Sequence, residues 1–82
     1  MLFDSLQNAV EKLDFITIIE KAHGLKSIIN IFGKSRLRYQ CKDMESEAAD
    51  QSERNVQKIF QIFEKDYHDF RGFLKNQLKD AN

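Results

Sequence analysis

The sequence predicts an all-α fold, a small single helical domain over residues 1–82 with a long C-terminal helix that is either straight or kinked. The 82 residues contain no proline and only three glycines, so few positions interrupt regular structure. Apolar residues recur every three or four positions along most of the chain, which is the spacing of one face of an α-helix. The length is that of one domain.

The first helix is predicted from about Leu2 to His23, with Gly24 as its C-cap. On a helical wheel its first half has one apolar stripe, while its second half is apolar nearly all round. Phe15 and Ile18 lie on the side away from that stripe, so a neighbouring helix or a second chain must cover them. We therefore name both as candidate partner-binding residues. The first stripe contains Leu2, Leu6, Ala9, Val10, Leu13 and Ile16.

The middle of the chain has two interpretations. The favoured one is helical, because two sets of apolar residues have helical spacing: Leu25, Ile28, Ile29 and Phe32, then Leu37, Cys41, Met44 and Ala48. The alternative is an α+β fold, helix–β-hairpin–helix, with the hairpin at about 28–42. This alternative is suggested by residues 36–42, in which charged or polar side chains alternate with less polar ones, as in a β-strand. The turn of such a hairpin would lack the usual Asn-Gly or Asp-Gly.

The last helix is predicted over about residues 52–79. Its main apolar stripe contains Val56, Ile59, Phe60, Phe63, Tyr67, Phe70, Leu74 and Leu78. Ile62 and Phe73 lie together on one flank and widen the apolar arc beyond what one packing partner needs, so we name them as candidate partner-binding residues. Asp50 with Glu53 resembles a capping box, which indicates a kink or restart near residue 50.

Charge is balanced over the chain but unevenly distributed. The 13 Lys and Arg residues match 13 Asp and Glu residues, which excludes a global attraction to nucleic acid or anionic lipid. Residues 34–42 carry four cations and no acid, and residues 43–53 carry five acids and no base. An aromatic ring among the four cations could stack on a base. Nucleic-acid binding is therefore the alternative function, with Lys34, Arg36, Arg38, Tyr39 and Lys42 as candidate residues.

The sequence contains no complete catalytic or metal-binding motif. Residues 33–35 resemble the end of a P-loop, but the glycine required five residues earlier is Ile28. Glu20 and His23 resemble one step of a carboxylate-bridged di-metal site, but the remaining ligands are missing. Near Cys41 in the sequence, nothing except basic residues would favour the reactive thiolate form of its side chain. We therefore predict that the protein is not an enzyme and has no catalytic residues, no metal and no cofactor.

The predicted function is that of a small non-enzymatic protein-interaction module, an inhibitor, adaptor or regulator whose partner is another protein. Excess apolar surface on both long helices predicts a homo-oligomer, most simply a dimer. The single cysteine cannot form an internal disulfide, which indicates an intracellular, cytoplasmic protein. No apolar run reaches the roughly 18 residues that a membrane span needs, so no membrane partner is expected.

Overall fold

The protein is an arrangement of four α-helices. The computed structural model describes the backbone of residues 2–80 and the side chains of residues 2–76. The helices are α1 (Leu2–Lys12), α2 (Phe15–Ile31), α3 (Ser35–Ala49) and α4 (Glu53–Asp80), and the described residues form no strand. The prediction of an all-α domain is confirmed, and the alternative with a hairpin at 28–42 is wrong.

Residues 35–49 form a helix because helical spacing buries a more apolar set of side chains than strand spacing would. The residues that α3 buries are Leu37, Cys41, Met44 and Ala48. A strand would instead place Tyr39 on the same face as Leu37 and Cys41. In the helix Tyr39 points away from that face, and it is 55% exposed. The alternation that suggested a strand therefore has no structural counterpart.

The first predicted helix is divided in two at Leu13 and Asp14. Leu13 has a positive φ of 55°. The N–H of Asp14 donates to the carbonyl of Ala9 at 2.9 Å and that of Leu13 donates to Val10 at 3.2 Å, the two bonds of a Schellman motif. Asp14 then caps α2, because its carboxylate accepts from the N–H of Thr17 at 3.3 Å and from its hydroxyl at 2.7 Å. The prediction of one continuous first helix is therefore wrong.

Gly24 lies in the middle of α2 and does not cap a helix. The apolar spacing continues across Gly24 to Ile31, and the left-handed turn follows at Gly33, which has a φ of 67°. A Cβ atom at position 24 would lie 3.4 Å from both terminal methyls of Leu2. The absence of a side chain at Gly24 thus leaves room for the start of α1 against α2. The prediction of a C-cap at Gly24 is wrong.

The restart predicted near residue 50 takes the form of a complete break between α3 and α4. Gln51 has a φ of 57°. The N–H of Ser52 donates to the carbonyl of Glu47 at 3.0 Å, and that of Gln51 donates to Ala48 at 3.0 Å, which is a second Schellman motif. Asp50 is the C-cap of α3, so its predicted role as the N-cap of a capping box is wrong.

The four helices run alternately up and down because two or three residues connect each consecutive pair. α1 packs against α2 and α4, and α3 also packs against α2 and α4. At 1.5 Å per residue the 28-residue α4 is about 42 Å long, which matches the longest dimension of the 44 × 20 × 18 Å molecule. The buried core contains Phe3, Leu6, Ala9, Val10, Ile18, Ala22, Leu25, Ile29, Leu37, Cys41, Met44, Ala48, Val56, Phe60, Phe63 and Phe70.

Candidate functional site

Large apolar side chains are exposed at one end of the molecule, where α2 ends and α4 passes the α2–α3 turn. Ile28, Ile31 and Phe32 come from the last turns of α2 and its C-cap, and Phe73 comes from α4. The ring of Phe32 meets the ring of Phe70 edge to face, with centroids 5.7 Å apart, and Phe70 precedes Phe73 by about one helical turn. We call the surface formed by Ile28, Ile31, Phe32 and Phe73 the apolar end.

An apolar cleft of about 220 Å³ lies beside Ile28, where the start of α1 meets α2 and α4. Its volume is below the roughly 300–1,000 Å³ of small-molecule pockets. A cleft of this size and lining suits one apolar side chain of a partner better than a free ligand. The lining residues are Leu2, Leu25, Ile28, Ile29, Tyr67, Phe70 and Leu74.

A cation and an acid border the apolar end. Lys34 Nζ lies 4.4 Å from the centroid of the Phe73 ring, which is the geometry of a cation–π contact. Asp69 lines the same shallow cleft as Lys34 and Phe73. Singly exposed apolar side chains are normal on protein surfaces, whereas a group of them with a polar rim is typical of an interaction site.

Ile62 and Phe73 are both exposed, at 50% and 42%, and both lie on one flank of α4. They are eleven positions apart in the sequence, which is about 16 Å along the helix. Asp66 and Asp69 lie between them on the same flank. The two residues therefore do not form one surface: Phe73 belongs to the apolar end, and Ile62 is isolated.

Ile18 and Phe15 lie where a partner has little or no access. Ile18 is completely buried in the core, and Phe15 is half-buried against it. The reason is the break after α1, which lets α1 fold back so that α2 is packed between α1 and α3 of the same chain. Ile18 is therefore a core residue and drops out of the candidate interface.

The basic block of residues 34–42 is divided between two sides of α3. Lys34 and Arg36 are directed towards α4, and Arg36 Nε lies 3.2 Å from Oδ2 of Asp66. Gln40 Nε2 donates to the same carboxylate oxygen at 2.8 Å. Asp66 therefore offsets the charge of Arg36 and joins α3 to α4. The five candidate nucleic-acid residues do not form a single surface.

The other part of the basic block lines a cleft between α2 and α3. Its volume is about 450 Å³. Residues from α2 that the sequence analysis did not include form the opposite wall. We call this site the basic cleft, and its lining residues are Lys26, Ser27, Asn30, Arg38, Tyr39 and Lys42.

Glu45 joins α2 to α3 next to the basic cleft. Its carboxylate lies 2.8 Å from Lys26 Nζ and 3.2 Å from His23 Nδ1. His23 thus contacts Glu45 of the neighbouring helix rather than completing a metal site with Glu20. Within the described residues, no three His, Cys, Asp or Glu side chains come together as metal ligands would.

Cys41 is a core residue. Its side chain is fully buried on the inner face of α3. Burial raises the pKa of the thiol to about 12, and the nearby carboxylate of Glu45 acts in the same direction. Cys41 is therefore protonated at neutral pH and inaccessible, which is the opposite of what a nucleophile requires.

Comparison with known proteins gives no indication of function. The chain matches no protein-family model, no curated protein and no solved structure. Over residues 2–80, no helix combines the length and the apolar character needed to cross a lipid bilayer. Function is therefore inferred from the apolar end and the basic cleft.

The sequence analysis missed the residues that α2 contributes to both surfaces. Ile31 lies outside the stripe that contains Ile28 and Phe32, and a helical wheel drawn over the true span of α2 would have placed it on the outer side. Lys26 and Asn30 carry no comparable local signal. Their role depends on how α2 packs against α3, which residues distant in sequence determine.

Proposed function

We propose that the protein is a non-enzymatic protein-interaction module, an inhibitor, adaptor or regulator that binds its partner through the apolar end. The observation that carries this proposal is the exposure of Ile28, Ile31, Phe32 and Phe73, with Ile31 79% exposed. On α2, Ile28 neighbours both Ile31 and Phe32 at helical spacing, and Phe32 contacts Phe70, one turn before Phe73 on α4. Covering a side chain of this kind contributes about 1.5–3 kcal/mol. A partner that covers several of them gains enough to offset much of the entropic cost of association.

The proposal includes a homodimer in which the apolar ends of two copies cover each other when no other partner is present. In a two-fold dimer the same patch must complement itself. The rim of the apolar end supports this arrangement, because Lys34 and Asp69 flank Phe73 with opposite charges. Lys34 of one copy can then face Asp69 of the other. A cytoplasmic location is also proposed, supported by the single buried Cys41, which has no internal partner for a disulfide.

A matched pair of variants tests the interaction surface. Ile31 and Ile16 lie on the same helix and are 79% and 77% exposed, but only Ile31 belongs to the apolar end. The wild type, Ile31→Asp and Ile16→Asp would be immobilised and exposed to a lysate of the source cells, and bound proteins quantified by mass spectrometry. Circular dichroism would confirm that both variants keep the helix content of the wild type.

The expected result is a protein that the wild type and Ile16→Asp retain and that Ile31→Asp loses. Ile16 lies in the first turn of α2 and Ile31 is its last residue, where the helix dipole disfavours an acidic side chain. Loss of binding by Ile31→Asp is therefore assigned to the surface only if its circular dichroism spectrum matches that of the wild type. Retention of the same proteins by all three baits, or no protein bound above the level of an unloaded support, would refute the proposal.

A further inference from the structure

The basic cleft presents cations from two helices and no acid. Lys26 comes from α2, and Arg38 and Lys42 come from α3 one turn apart. The other lining groups are the Ser27 hydroxyl, the Asn30 amide and the Tyr39 side chain, and no carboxylate lines the cleft. The site thus concentrates positive charge on a chain whose net charge is zero.

Two of the three cations are available to an anion. Lys26 Nζ is held 2.8 Å from Glu45. Within the described residues, no carboxylate lies within ion-pair distance of Arg38 or Lys42. Arg38 Nη1 donates to Oδ1 of Asn30 at 3.4 Å, which orients the guanidinium and leaves its other N–H groups and the Asn30 amide N–H groups free to donate.

An exposed aromatic ring lies among these cations. Tyr39 is 55% exposed, and the guanidinium carbon of Arg38 lies 5.2 Å from the centroid of its ring. Aromatic rings and guanidinium planes are the surfaces on which proteins stack unpaired bases. An acidic peptide would neutralise the cations but would make no comparable use of the ring.

We propose that the basic cleft binds a nucleotide unit, with its phosphate on Arg38 and Lys42 and its base stacked on Tyr39. The cleft volume of about 450 Å³ lies in the range of small-ligand pockets and is too small for a duplex. The unit is either a free nucleotide or one nucleotide of a single strand, since both present the same phosphate and base. This proposal is independent of the apolar end, because the two surfaces share no residue.

Fluorescence anisotropy with a fluorescein-labelled oligo(dT) strand of about twelve nucleotides tests the proposal. The wild type should bind, and Tyr39→Ala should weaken binding about tenfold while Tyr39→Phe, which keeps the ring, does not. Lys42→Gln should reduce the slope of log affinity against log salt by about 0.7, as expected when one phosphate contact to a single strand is lost. Lys58→Gln removes an exposed cation of α4 outside the cleft and should change neither quantity.

Competition experiments separate the sources of the nucleotide. If thymidine monophosphate displaces the labelled strand at about the same nucleotide concentration as unlabelled strand does, the ligand is a free nucleotide. If much more thymidine monophosphate is needed, the ligand is a single strand. Either result supports the proposal. Absence of binding to both probes overturns it. The proposal is also overturned if Tyr39→Ala leaves the affinity for the strand unchanged and polyglutamate or inorganic phosphate displaces the strand as well as thymidine monophosphate does. The cleft would then attract any anion.

Discussion

The ring of Phe3 lies parallel to the ring of Tyr67, with centroids 4.5 Å apart and planes 3° apart. The same ring also packs against Phe60 and Phe63, at centroid distances of 5.8 and 6.3 Å. α1 has only 11 residues, a length at which an isolated helix is marginal in water. Buried side chains must therefore hold α1 on the bundle, and the contact of Phe3 with the aromatic row of α4 acts together with the packing of α1 on α2.

Replacing Phe3 with Ala should destabilise the protein by about 3–5 kcal/mol, the usual cost of removing a buried aromatic ring. Phe3→Leu, which keeps most of the apolar volume, should cost less. The free energy of unfolding would be measured in urea by circular dichroism. Ile16→Ala, at an exposed position of α2, serves as the control and should stay within about 0.5 kcal/mol of the wild type. A Phe3→Ala variant as stable as this control would show that α1 does not depend on the stack.

Replacement of two exposed glycines by alanine should have opposite effects on stability. Gly33 has a φ of 67°, where alanine is strained, and Gly72 lies inside α4, where alanine is the better helix former. Apart from the adjacent residues and the local backbone of α4, no described atom lies within 4 Å of the Cβ that either substitution adds, so backbone conformation decides the sign. Gly33→Ala should destabilise by about 1 kcal/mol, and Gly72→Ala should stabilise by about 1 kcal/mol. Urea unfolding of both variants tests this, and changes of the same sign would contradict the assigned backbone conformations.

The buried thiol of Cys41 predicts a loss of stability at high pH. Burial raises its pKa from 9.0 in the unfolded chain to about 12 in the folded protein. The unfolded state therefore releases a proton between these values that the folded state keeps, so the stabilising contribution is complete below pH 9 and falls as the pH rises towards 12. At pH 10 the loss should be about 1.4 kcal/mol.

Cys41→Ala provides the reference for this effect, because it removes the thiol and leaves every lysine and tyrosine that titrates in the same range. Between pH 8 and pH 10, the free energy of unfolding of the wild type should fall by about 1.4 kcal/mol more than that of Cys41→Ala. Equal decreases in the two proteins would mean that the thiol of the folded protein is not protected from ionisation.

Periodicity in the sequence was enough to predict the helices whose buried faces have regular spacing. The faces of α3 and α4 follow this rule, and the break near residue 50 was indicated by its acidic and polar residues. The break after α1 was missed because Leu13 adopts a left-handed conformation that sequence analysis reserves for glycine. The pairing of Asp14 with Thr17 is a local capping signal that could have revealed it.

Residues of the candidate sites could be predicted from the sequence only where their position on a single helix decides their exposure. Phe73 lies on a flank of α4 that the wheel identifies, and its exposure follows from that position. The contact of Phe32 with Phe70 and the position of Lys26 opposite Arg38 join residues far apart in the chain. Such pairings depend on the order in which four helices pack, and a single sequence contains no direct signal for that order.

The molar mass of the protein in solution, measured by size-exclusion chromatography with light scattering, tests the role of the apolar end most directly. Concentration should be taken from refractive index, because the chain has no Trp and two Tyr. We predict twice the 9.7 kDa of one chain for the wild type and for Ile16→Asp, and the mass of one chain for Ile31→Asp. A wild type that remains monomeric at high micromolar concentration, or three proteins of identical mass, would contradict the claim that the apolar end is a contact surface.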